Sequence, residues 1–115
     1  MRSPNRLLPD EARVCRGGTC TADRFAGGSG VTIDAAGRLS GVSVNSAPGR
    51  TVEELTASIP NKQVGVTTVG AIRAVGGDVI PDPRPNSSFH CQLYGITPAQ
   101  AERLFTPPRR HPHVP

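Results

Sequence analysis

One histidine, His90, lies outside the Pro-rich tail of this 115-residue chain. Around it Phe89, Cys91 and Leu93 alternate with His90, Gln92 and Tyr94. A period of two predicts a strand over residues 89–94, with one apolar face and one polar face carrying His90, Gln92 and Tyr94. An imidazole titrates near neutral pH, so His90 is the candidate general acid or base. The same position equally suits a hydrogen-bonded surface histidine. Arg16 comes next. It ends a short predicted strand and precedes Gly17-Gly18, where a phosphate or carboxylate can approach the backbone closely. Ser43, Asn45 and Ser46 form a hydroxyl and amide cluster at another strand end, suited to a ribose, a phosphate or the solvated face of an edge strand. Thr67 and Thr68 stand where a helix begins, which is both a capping position and an anion-binding one. His90 and Arg16 are thus the candidate catalytic residues. Ser43, Asn45, Ser46, Thr67, Thr68 and Tyr94 are the candidate substrate contacts.

The elements that must position these groups are short. Strands are predicted at residues 14–16, 31–33, 39–44, 64–66, 78–80 and 89–94, with Asp34 and Gly37 turning a hairpin between the second and third. In the third, Val42 and Val44 face the core, whereas Ser43 and Asn45 face away. Four helices are predicted. Thr21 caps one that ends at Phe25. Thr51 and Glu54 form a capping box for residues 52–58. Thr67 or Thr68 caps a helix that reaches Val75. Thr97 and Gln100 form a second capping box, with Pro98 at the first helical position, for a helix to Phe105. Residues 81–88, with three prolines, read as a stiff, extended loop. The pattern predicts an α+β domain over residues 13–106: a small, mostly antiparallel sheet with three or four short helices packed on it. Residues 1–12 read as a disordered lead-in or linker, and 107–115 as a loose Pro/Arg/His-rich tail.

Composition narrows the chemistry. The net charge is +4 and thirteen cations are present, twelve of them Arg, so an anionic partner such as RNA fits. No Walker A, HExxH, Cys-x-x-Cys or Gly-x-Gly-x-x-Gly occurs, and no metal site is expected. Glu53, Glu54 and Glu102 fall on predicted helix surfaces. Cys15 and Cys20 are spaced to close a short loop but not a zinc knuckle, and Cys91 reads as a small buried hydrophobe. No apolar run approaches the length of a membrane span and the N-terminal residues lack a signal-type core, so no membrane contact and a cytoplasmic location are expected.

The segments VGVTTVGAIRAVGGDVIPDP and FHCQLYGITPAQAERLF, preceded by VCRGG and GVSVNS, resemble the C-terminal toxin modules of bacterial polymorphic toxins over about residues 14–106. That resemblance implies a module carried on a larger secreted chain and delivered to a target cell's cytoplasm, with a neutralising immunity protein as partner. Many such modules are small, basic, metal-free ribonucleases, a role in which His90 would move the proton and Arg16 would hold the phosphate. Others are ADP-ribosyltransferases. These would take NAD as cofactor, with Arg16 at its phosphates and residues 43–46 as the serine motif, and they need a late glutamate, for which Glu102 is the candidate. A non-catalytic binding module is the remaining alternative.

Overall fold

A computed structural model of the chain describes residues 8–113. The elements are β1 (Arg13–Gly17), α1 (Ala22–Ala26), β2 (Thr32–Ile33), β3 (Leu39–Ser40), β4 (Val42–Ser46), α2 (Val52–Thr56), β5 (Gln63–Thr68), α3 (Val69–Ala74), β6 (Asp78–Pro81), β7 (His90–Tyr94), α4 (Pro98–Phe105) and β8 (Arg109–Arg110). Both capping boxes form as predicted: Thr51 with Glu54 opens α2, and Thr97 with Gln100 opens α4. Each ties up two N–H groups that a helix start leaves unpaired. Of the two threonines before α3, Thr68 is the cap, its side chain accepting from Ala71 N–H.

Six strands form one antiparallel sheet in the order β6-β7-β4-β1-β5-β8, and β2 and β3 make a separate ribbon. The fold is α+β. Two local expectations need correction. The strand predicted over residues 39–44 is split by Gly41, whose φ of +78° belongs to the left-handed region. Its first half joins the ribbon, and its second half, extended to Ser46, enters the main sheet. The Pro-rich stretch is not extended either. Arg84 and Ser87 exchange backbone hydrogen bonds of 3.0 and 2.9 Å, which reverses the chain and makes β6 and β7 a hairpin. Proline at a turn's early positions restricts φ without needing the missing N–H.

Helices α1, α3 and α4 cover one face of the sheet. There Val14, Phe25, Val42, Val44, Val69, Ile72, Val79, Leu93, Ile96 and Phe105 pack together. Phe25 of α1 meets Phe105 of α4 with ring centroids 5.3 Å apart. Among the described residues α2 is the one helix on the other face, over a smaller buried group of Cys15, Leu55 and Val64. The chain ends also depart from expectation. Leu8 and Ala12 are buried in the main core, so residues 8–12 belong to the domain; residues 1–7 of the expected lead-in lie outside the described residues. The tail pairs with β5 through β8, and His111 is buried, its Nε2 2.7 Å from the Thr56 carbonyl oxygen of α2. Among the described residues no helix is long and apolar enough to cross a membrane.

Candidate functional site

The candidate site lies on the α2 face, where β1, β4 and β7 run side by side. Asn45 of β4 stands opposite His90 of β7, and Ser43 lies two residues along on the same face. His90 Nε2 is 3.1 Å from Ser43 Oγ. On its other side Nδ1 is 3.0 Å from the Asp82 main-chain oxygen and 3.3 Å from Asp82 Oδ2. Both Asp82 atoms can only accept, so Nδ1 carries the proton. In the neutral ring Nε2 then accepts from the Ser43 hydroxyl and is the basic nitrogen facing the cleft. The reversal at Arg84–Ser87 makes this possible by returning Asp82 alongside His90, and Asp82 N–H donates to the His90 carbonyl at 2.9 Å. The Asp82 carboxylate is itself held by Arg84 at 2.9 Å and by Gln92 Nε2 at 3.0 Å. Those donors, Arg84 first and Gln92 next, push its pKa below the ordinary carboxylate value.

Arg16 enters from β1. The β1–β4 ladder covers only Val14–Ser46 and Cys15–Asn45. Ser46 N–H donates to the Phe89 carbonyl, so two-residue alternation leaves Ser43 in a non-hydrogen-bonded pair with β7, its carbonyl turned toward β1. Where the ladder stops, the Arg16 guanidinium takes that carbonyl: Nη1 donates to Ser43 O at 2.7 Å and Nη2 to Arg24 O at 3.5 Å. The guanidinium also lies 5.1 Å from the Phe25 ring centroid. Burial lowers its pKa, yet a guanidinium remains a cation in proteins. Two residues of the sheet thus meet on Ser43: Arg16 on its carbonyl, His90 on its hydroxyl.

A cleft of about 440 Å³ opens above them, lined by Cys15, Arg16, Gly17, Ser43, Val44, Asn45 and His90 from the sheet, Ser58 to Asn61 from the segment after α2, and Asn86 and Ser87 from the hairpin turn. Gly17 lets the segment after α2 close over β1 here, because a Cβ would push aside the Asn61 and Ile59 side chains.

Of the residues singled out from sequence, Arg16, Ser43, Asn45 and His90 are brought together. Asn45 has a structural task as well: its buried amide donates to the Leu55 carbonyl at 2.9 Å and holds α2 to the sheet. The other four candidates do not line the cleft. Ser46 is buried on the opposite face and donates to the Arg13 carbonyl. Thr67 pairs with Val14 at the far end of β5, and Thr68 is spent on its cap. Tyr94 lies at the other end of β7, in a depression beside the β2–β3 ribbon. Side-chain alternation put Tyr94 on the correct face but four residues along a strand, a distance that separates two sites. Glu102 is not at the cleft either; its carboxylate accepts from Ala22 N–H at 2.7 Å and caps α1. The three cysteines are free thiols, so the Cys15–Cys20 bridge does not form. Asp82, Asn61 and Asn86 were missed. The signal for Asp82 was present: once 81–88 is read as a turn, hairpin pairing carries it back to His90.

Protein RhiC of Rhizobium leguminosarum bv. viciae is similar to this chain, 34% identical over 77 residues that make up 67% of this chain and 51% of RhiC. The chain spans about half the length of that relative. No family model and no solved structure matches it.

Proposed function

We propose that the cleft is the active site of a metal-free ribonuclease, of the kind carried as toxin modules on larger secreted chains, and that His90 is its general base. The observation that carries this reading is the convergence of His90 Nε2 and Arg16 Nη1 on one residue, Ser43, at 3.1 and 2.7 Å. The substrate's 2′-hydroxyl takes the place of the Ser43 hydroxyl at Nε2 and gives up its proton there. The 2′-oxygen attacks the adjacent phosphorus, the bond from phosphorus to the 5′-oxygen breaks, and that oxygen takes a proton from water. The products are a 2′,3′-cyclic phosphate and a 5′-hydroxyl. Arg16 has N–H groups beyond the two it commits to the protein, and in this reading they donate to the charge that builds on the phosphate oxygens. A neutralising protein partner and action in a target cell's cytoplasm belong to the same reading.

The test is cleavage of a labelled RNA in EDTA, with the ends of the products identified. Wild type should yield 2′,3′-cyclic phosphate ends, and His90→Ala should lose about 10²–10⁴-fold in rate, the usual share of general acid–base catalysis. Equal rates for wild type and His90→Ala would overturn the reading. One observation favours a second reading, ADP-ribosyl transfer: the first-strand Arg16 is bonded to the serine-bearing strand beside it. Its late glutamate is the weak point, since Glu102 caps α1. A melting temperature unmoved by millimolar NAD removes it.

A further inference from the structure

The cleft does not end at Arg16. On the far side of that guanidinium a second groove, of about 710 Å³, runs between the β1–α1 connection and the start of β5, and it shares Arg16, Gly17 and Asn61 with the first. Arg16, Arg24 and Lys62 line it, against one carboxylate, Asp23. Asp23 accepts from Thr21 Oγ1 at 2.6 Å, which lowers its pKa and keeps it ionised. Among the described residues neither Arg24 nor Lys62 enters an ion pair, and both are exposed. Gly17-Gly18 and Gly27-Gly28 line the groove with backbone in place of side chains, leaving room for a chain to lie close.

We infer that this groove is a polynucleotide subsite: it holds a phosphate of single-stranded RNA next to the one placed over His90, with Arg24 and Lys62 as its contacts. The inference rests on the ribonuclease reading for the choice of ligand. A site for one isolated phosphate would need no cations beyond Arg16. The two further cations lie outward from it in a groove continuous with the cleft, as a chain with regularly spaced charges requires. Substrates with several phosphates should therefore bind better than a dinucleotide, and the gain should reside in Arg24 and Lys62.

The experiment measures binding, so it does not depend on turnover. The probes are a fluorescent 2′-O-methyl hexanucleotide and a 2′-O-methyl dinucleotide, which cannot be cleaved through the 2′-oxygen. Affinity is followed against salt for wild type, Arg24→Ala, Lys62→Ala and the double variant. Each single change should weaken hexanucleotide binding and reduce the slope of log K against log[salt] by about 0.7, the value per phosphate contact on a single strand. Dinucleotide binding should stay as in wild type. The main-chain oxygens of Arg24 and Lys62, which accept from Arg16 and from His111 N–H, remain in these variants, and thermal melting checks the fold. Hexanucleotide affinity and slope equal to wild type in a folded double variant would overturn the subsite. Failure of the catalytic reading looks different: RNA stays uncut by wild type while the groove variants still change binding.

Discussion

His90 takes its tautomer from two acceptors on a single residue. Its Nδ1 proton faces both the main-chain oxygen and the carboxylate of Asp82, at 3.0 and 3.3 Å. The main-chain oxygen survives any substitution at position 82, so Asp82→Asn should keep Nε2 basic and cost far less of the proposed RNA-cleaving activity than His90→Ala. A loss as large as that of His90→Ala would mean that the carboxylate alone fixes the ring. The pH sign follows from the direction of the Asp82 shift. A carboxylate depressed by Arg84 and Gln92 is fully ionised above its ordinary pKa of 3.8 and gives up these bonds only as pH falls below it. Rate changes between pH 5 and 8 therefore belong to groups other than Asp82. Asn45 shows a different economy, in which a polar residue beside the site spends its donors on holding the roof in place.

The roof is α2 and the segment after it, and its anchoring comes from the chain's C-terminal end. His111 Nε2 donates to the Thr56 carbonyl at 2.7 Å, and its Nδ1 accepts from His113 N–H at 3.0 Å. His113 Nε2 reaches the Glu53 carbonyl at 2.8 Å. A five-residue helix has too few internal bonds to persist alone, so these ties and Asn45 must hold it. His111→Ala removes one of the two donors to the buried Thr56 carbonyl, which keeps Ile59 N–H at 2.9 Å, and should destabilise the protein by about 0.5–1.5 kcal/mol in urea unfolding. Amide exchange should rise most in α2. Uniform exchange across the sheet would show that the tail does not support that helix.

At the scale of the whole molecule, Cys15 and Cys91 are free thiols buried in a sheet covered on both sides, and Cys20 is a third, buried in the connection between β1 and α1. Burial pushes Cys15 and Cys91 up to about 11 from an ordinary value of 9.0, and it raises Cys20 as well. Folding therefore favours the protonated thiol. That contribution is complete below the unfolded-state pKa near 9 and is lost as pH rises toward 11. Stability should be flat between pH 7 and 8.5 and fall above it, by roughly 2–3 kcal/mol at the limit for each of Cys15 and Cys91. Urea unfolding of wild type beside Cys91→Ala measures this, and the variant should show the shallower alkaline decline. Identical pH profiles would refute it. Thiol labelling of the native protein at pH 8 should be slow for the same reason, since a thiolate is the reactive form.

Local rules in the sequence determined the elements. The capping boxes at Thr51 and Thr97 and the alternation through His90 each need only a few neighbouring residues, and each appears in the structure. The α+β class followed from their order. The same reading placed His90, Arg16, Ser43 and Asn45 as candidates, because polar side chains on an otherwise apolar strand are visible in one dimension. What it could not supply is strand order. The sequence-distant β1, β4 and β7 become neighbours only through pairing across the sheet, and that pairing put Arg16 and His90 on the same serine. Pairing also moved Ser46, Thr67, Thr68 and Tyr94 away from the cleft and brought in Asp82 and Asn61. The tail shows the same limit: Pro and His punctuation reads as loose chain, whereas β8 and the burial of His111 depend on an open edge at β5 that no local pattern records.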